Sequence, residues 1–295
     1  MNYFIIGNGF DLSHSLKTKY ADFNEYVKDK RTSYKYKLSE GLDLYKCLSD
    51  FYHIEEIEFW TGFEESLGNH INTENLSKLI YAYGKEETIE IFKDFSAKLS
   101  QAFADWITLT EEEKNLSDKD KKNLYVNLFK TDDLFLSFNY TTTLEKVYNI
   151  SEKRINYIHN NSLYQTLDRL FGMHNQEDDQ KIIFGHSEGI KTGNADIDDL
   201  IKITEKKVSD KCKSCFNYLR EYNIENIYMF GHGYGDVDYP YFKKIANIIP
   251  DAKWHLYRYS EEDRKAAEKM LCKLKQDTNN KIEADTPNLK EALES

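Results

Sequence analysis

Proline is nearly missing from this sequence: three in 295 residues, at Pro240, Pro250 and Pro287, so no proline-rich linker divides the chain. Cysteine is as sparse, with four residues (Cys47, Cys212, Cys215 and Cys272). Cys212 and Cys215 form a CxxC, yet Val208, Cys212, Cys215, Leu219 and Tyr222 recur at helical spacing, so the two thiols read as the buried stripe of a helix rather than a redox or metal pair. No apolar run approaches the ~20 residues that cross a bilayer, and the opening MNYFIIGNGF has no basic start, so no membrane is expected and the cytoplasm is the expected location. Positive charge is also short, with 40 Lys+Arg against 51 Asp+Glu for a net charge of −11. That balance makes nucleic acid an unexpected partner. Aromatics are abundant instead, with 22 Tyr and 17 Phe, enough for a large core.

Tyr3 to Ile6 is a short apolar run ended by Gly-Asn-Gly, the pattern of a buried strand entering a tight turn and then a helix at Asp11. From about Tyr20 to Asn127 the pattern is helical, with Phe92, Phe95, Leu99, Phe103 and Trp106 on one stripe. Thr110 with Glu113 reads as the capping box of a further helix, and the charged run Glu111 to Lys122 as a solvated face. Strand-like runs return at Leu134 to Phe138, Ile155 to His159, Ile182 to Gly185, Ile227 to Gly231 and Trp254 to Tyr257. Helical patterns such as Lys206 to Tyr222 and Tyr241 to Ile249 separate them. The alternation predicts an α/β fold: a Rossmann-like open parallel sheet of about six strands flanked by helices, with a large helical insertion over 20–130 after the first strand. Asn160 to Gln180 lacks periodicity and reads as a long loop. The tail after Ser260 opens as an amphipathic helix carrying Ala266, Met270 and Leu274.

In an open parallel sheet, ligands sit beyond the carboxyl ends of the strands. The first strand ends in Gly7-Asn8-Gly9-Phe10-Asp11, the second in Ser137-Phe138-Asn139-Tyr140, the third in His159-Asn160, the fourth in Gly185-His186-Ser187 and the fifth in Gly231-His232-Gly233. Gly7 and Gly9 would let the backbone approach a phosphate at a helix start; the plainer alternative is an ordinary turn with Asp11 as helix N-cap. A carboxylate at Asp11 would repel a pyrophosphate unless it faces the helix, a ribose hydroxyl or a metal. Asn139 at the mouth of the sheet can hold a sugar hydroxyl or a water by two-sided hydrogen bonding, while Thr141 or Thr142 reads as a helix cap. The pairing of Asn139 with His159 on successive strands is the stronger signal. Gly231 and His232 are placed to line the same edge, and Asp238 reads as the N-cap of a helix opened by Pro240. Asp11, His186, His232 and Asp236 are also the residue types of a metal-dependent hydrolase, but no HxxxH or HExxH spacing supports a metal.

The segments MNYFIIGNGFDLSHSLKTKYADF, WTGFE (Trp60 to Glu64), LSFNYTTTLE, INYIH and FGHGYGDVDYPYF together resemble the AbiH family of bacterial phage abortive-infection proteins. The resemblance spans nearly the whole chain and implies antiphage defence. The order of motifs is similar, more distantly, to the sirtuin-like fold: a GxG turn, an Asn-containing turn, a His some twenty positions on, then Gly-rich turns. That likeness implies one sirtuin-like, NAD-binding domain over 1–295. In it Asn139 and His159 would be the catalytic pair acting on the ribose of NAD. The ligand would lie among Gly7, Asn8, Gly9, Phe10, Asp11, Tyr140, Thr141, Gly185, His186, Gly231, His232 and Asp236. In bacterial defence relatives of this fold the implied reaction is NAD depletion by N-glycosidic cleavage. Three readings follow: an NAD-consuming enzyme, a non-catalytic nucleotide sensor signalling to a partner, and a metal-dependent hydrolase. The expected partners are a small-molecule nucleotide and either a phage-derived trigger or a second copy in a homo-oligomer.

Overall fold

A computed structural model describes residues 1–159, 185–206 and 216–294. The loop expected over 160–180, most of the run Ile182 to Gly185, and the Cys212–Cys215 stripe lie outside the described residues. Six strands, β1 (Asn2–Ile6), β2 (Leu134–Ser137), β3 (Ile155–Tyr157), β4 (Asn226–Phe230), β5 (Lys253–Leu256) and β6 (Ala284–Asp285), form one sheet in the order β3-β2-β1-β4-β5-β6. Every pair is parallel, which is the expected Rossmann-like α/β sheet. β1 takes the centre because both of its faces are apolar. Tyr3 and Ile5 pack on one side with Met229, Phe242 and Trp254, whereas Phe4 and Ile6 pack on the other with Phe10, Tyr125 and Phe135.

The strand order reverses between β1 and β4, the switch point at which such sheets open a crevice. The sixth described strand is Ala284–Asp285, two residues paired with β5, too short to leave an alternating pattern. His186 makes an isolated parallel bridge with Glu205.

The chain forms two compact units. The sheet unit comprises Met1–Lys17, Glu111–Tyr164 and Val208–Ser295, and the second unit Thr18–Thr110 with Gln165–Lys207. The second unit is therefore discontinuous, and residues 111–130 of the expected insertion belong with the sheet. The described helices run α1 (Asn8–Ser13), α2 (Tyr20–Lys28), α3 (Lys30–Lys35), α4 (Leu44–Phe51), α5 (Ile57–Thr61), α6 (Phe63–Asn69), α7 (Thr73–Tyr83) and α8 (Lys85–Lys114) before β2, with α10 (Thr143–Tyr148) after it and α9 (Asn123–Leu128) preceding it. None of the described helices is long and apolar enough to cross a membrane.

The stripe Phe92, Phe95, Leu99, Phe103 and Trp106 is buried as its spacing requires. α8 corrects the capping box expected at Thr110: the helix runs through it without a break, because the strong helix formers Glu111 to Lys114 extend it past a local cap signal. Within the helical unit, Glu64 of the WTGFE segment accepts the Tyr20 hydroxyl at 2.7 Å and is paired with the buried Lys206 ammonium. Gly68 has no room for a side chain, since a Cβ there would stand 2.8 Å from the His186 ring.

Candidate functional site

The turns that close β1 and β4 meet backbone to backbone. Gly7 is the N-cap of α1, and its N–H donates to the Phe230 carbonyl at 2.8 Å. The Gly9 N–H donates to the Gly231 carbonyl at 2.8 Å. Gly231 adopts φ +64°, and a Cβ on it would lie 2.4 Å from the Cα of Gly9. These three glycines are thus required by the approach of two turns, and the Gly9 N–H faces protein rather than a ligand phosphate.

At the next junction, side chains make the contact. Asp11 is buried inside the first turns of α1 and makes no cap; Thr141 and Thr143, which follow β2, bring their hydroxyls within 2.7 Å of its two carboxyl oxygens. The two hydroxyls lie 3.1 Å from each other. Three oxygen–oxygen contacts need three hydrogens, and two hydroxyls hold two; a protonated Asp11 supplies the third. Burial raises the Asp11 carboxyl to about 7, against the lowering effect of Thr143 and Thr141, with the charge of Glu111 adding to the rise. Asp11 therefore faces the threonines, and with its carboxyl raised to about 7 it is about half protonated at pH 7.

Thr142, between them, turns the other way. Its N–H and its hydroxyl both donate to Glu111 Oε1 at 2.7 Å, so neither Thr142 nor Thr141 caps α10 with its side chain. Glu111 is buried, which corrects the reading of Glu111 to Lys122 as a solvated face at its first residue. Glu145, in the first turn of α10, accepts the Tyr157 hydroxyl on both oxygens at 2.7 Å. Burial raises this carboxyl to about 7 as well, opposed by the Tyr157 bond and aided by the charge of Glu111.

The clamped turn carries Asn139 and Tyr140. Asn139 is only 5% exposed, and among the described residues neither its Nδ2 nor its Oδ1 has a hydrogen-bond partner. The amide lies close enough to Asp11 to favour the charged carboxylate slightly. His159, 4% exposed, stacks on Tyr140 at 5.4 Å and meets the edge of Phe138 at 5.9 Å. Phe138 also meets His232 at 4.9 Å.

His232 receives the Tyr234 N–H on Nδ1 at 2.8 Å, so its hydrogen resides on Nε2, which donates to Asp238 at 3.0 Å. Asp238 occupies the expected N-cap position of the helix Tyr239–Ile248, but its side chain makes no cap bond and partners the histidine instead. Asp236 is at the surface, paired with Lys273 at 2.9 Å. Asn8 starts α1, with Phe10 packed in the core behind it. Gly185 and His186 belong to the helical unit, where the His186 ring nitrogens face the carbonyls of Ser187 and Ile201 at 2.8 and 3.1 Å. Among the described residues, no group of three His, Cys, Asp or Glu is placed to hold a metal ion.

Thr143, Glu111, Glu145 and His14 are the site's unexpected members. His14 donates from Nδ1 to the Phe10 carbonyl at 2.7 Å and accepts the Tyr148 hydroxyl on Nε2 at 2.8 Å. Burial lowers it to about 4, and its neutral ring pins the end of α1.

A search of curated proteins finds no match to this chain. The family model for bacteriophage abortive infection AbiH matches residues 3–259, and the chain belongs to that family.

Proposed function

We propose that this AbiH protein defends against phage through a nucleotide site at the carboxyl edge of β1, β2 and β3, where Asn139 and His159 cleave NAD at its N-glycosidic bond. The observation that supports the reading is the buried Asn139 amide with both polar atoms unpartnered among the described residues. A buried polar pair of this kind calls for an occupant, and ribose hydroxyls, which both donate and accept, meet an amide on both its atoms. In the reaction the C1′–N bond breaks and nicotinamide leaves with the bonding pair. The sugar passes through an oxocarbenium-like state, and a water held by Asn139 adds to C1′ as His159 takes its proton. NAD is here a substrate. Asp11, about half protonated at neutral pH, holds the turn that carries Asn139 and keeps its carboxyl on the threonines, which lessens its repulsion of the pyrophosphate.

The test compares wild type with His159→Gln. Loss of a general base costs typically 100-fold to 10,000-fold in rate, so the variant should fold, keep a nucleotide-dependent rise in melting temperature, and lose both NAD depletion and phage protection. A wild type that consumes no NAD during infection defeats the glycosidase reading. Protection that survives in His159→Gln together with nucleotide binding makes the site a sensor.

A further inference from the structure

We propose that the helical unit pairs with a second copy of this chain, a basic tyrosine knob on one copy entering an acid-rimmed apolar hollow on the other. The inference stands apart from the nucleotide reading, since every residue it uses lies in the helical unit.

The hollow lies between α4, α7 and the start of α8 and has a volume of about 460 Å³, within the range of sites that enclose a ligand or an anchoring side chain. Cys47, Phe51 and Ile91 are its buried floor, and Tyr83 stands 61% exposed at its wall. The rim carries Glu40, Asp50 and Glu87, which have no ion-pair partner among the described residues. Lys78 on the same rim does not neutralise them, because Glu74 holds its ammonium at 2.6 Å. α7 ends here with no basic residue in its last turn, so the negative end of its dipole adds to the rim. Burial first, and then the charges of Asp50 and Asp43, push the Cys47 thiol on its floor up to about 12. An apolar hollow with this surround fits an apolar group that carries positive charge beside it.

The same unit presents such a group elsewhere on its surface. Residues 28–37 hold five cations (Lys28, Lys30, Arg31, Lys35, Lys37) and one acid in a chain whose net charge is −11. The acid, Asp29, caps α3 through Arg31 and Thr32 N–H groups. Tyr34 projects from α3 at 70% exposure, with the Lys37 ammonium 5.3 Å above its ring. Lys35 and Tyr36 are anchored to Asp105 of α8 at 2.7 and 2.6 Å. The floor residue Ile91 lies fourteen positions before Asp105 on that helix, about 21 Å away along its axis. Arg31 and Tyr34 do not line the hollow, while Lys37 lies beside its rim at Gly41, and the exposed Tyr34 ring is open to another copy. A ring inserted among three carboxylates, with cations at its edge, makes a contact smaller than a standard interface of about 1,200–2,000 Å², and its attraction is screened by salt.

Sedimentation velocity of the full chain, across a wide concentration range at low and high salt, tests this. Wild type should associate at low salt and fall apart at high salt. Two surface variants separate the partners: Arg31→Glu with Tyr34→Ala removes the knob, and Asp50→Lys with Glu87→Lys reverses the rim. Each alone should associate more than tenfold more weakly than wild type with an unchanged melting temperature, and an equimolar mixture should pair again, because one knob and one hollow survive in it. A monomeric wild type at low salt overturns the proposal, as do association that survives both changes and a mixture that fails to pair. Binding of a lysine-rich, tyrosine-containing peptide to a monomeric wild type would likewise overturn it, by assigning the hollow to a different partner.

Discussion

The carboxyl edge of the sheet is held together in two unlike ways. Between β1 and β4, three glycines bring two turns into backbone contact, and a single methyl group would land 2.4 to 2.7 Å from main-chain atoms. Between β1 and β2, Asp11, Glu111 and three threonines do the joining through hydroxyl–carboxyl bonds of 2.7 Å. The first junction is steric and insensitive to pH. The second contains a proton, so solution conditions act on it while they leave the glycine seam alone, and it is the second that carries Asn139.

The widest separation between the two should come from removing that proton's site. Asp11 ordinarily titrates at 3.8 and is raised to about 7 in the fold, so the native state holds an extra proton between those values and loses stability as pH rises through them. Glu145, raised from 4.5 to about 7, acts in the same direction. His14, lowered from 6.5 to about 4, acts in the opposite one over that interval. Comparing wild type with Asp11→Asn cancels the other two. The amide supplies the missing hydrogen at every pH, so the variant should match wild type near pH 4 and exceed it at pH 8 by on the order of 4 kcal/mol. Urea unfolding at the two pH values checks this, and parallel pH profiles for the two proteins would show that the clamp holds no proton.

At the seam, Gly231→Ala places a Cβ against the Gly9 backbone at a positive φ. The expected loss is about 3 kcal/mol, equal at pH 5 and pH 8 in the same denaturation experiment. A pH-dependent loss would mean that the two junctions are not separate devices. Smaller still is Glu111→Ala, which leaves the Thr142 N–H and hydroxyl without their acceptor for about 2 kcal/mol. Glu111→Gln keeps a carbonyl oxygen there and should recover more than half of that in melting temperature. Equal losses in the two variants would show that the charge of Glu111, rather than its acceptor geometry, holds the turn.

How much of this was legible beforehand follows from the same contrast. β1, β2 and β4 are apolar runs and β5 alternates as Lys253-Trp254-His255-Leu256, patterns that announce themselves, whereas β6 is two residues, Ala284 and Asp285, with no pattern to find. The glycines were visible as residues needing close approach, but nothing local says whether a ligand or another turn does the approaching. Asp11 was visible too, and its partners Thr141 and Thr143 lie 130 and more positions away, beyond any spacing rule. Glu111 left one sign: it falls four positions after Ile107 on the stripe of α8, a carboxylate at a core position, where it must find donors. Hydrogen bonds between distant turns are the part of a site that periodicity does not encode, and here they oppose the burial that raises Asp11 and Glu145.

The place of β1 in the sheet sets a timetable for making the protein. Its partners begin at Leu134 in β2 and Asn226 in β4, so β1, made before either, waits for both. At roughly 5–20 residues per second, the second partner emerges roughly 10 to 45 s after the first strand. Contacts this distant in sequence are slow to form in any case. Through that interval the central strand of the finished sheet is an unpaired apolar edge, the kind of surface from which nascent chains aggregate, and slowing translation prolongs its exposure.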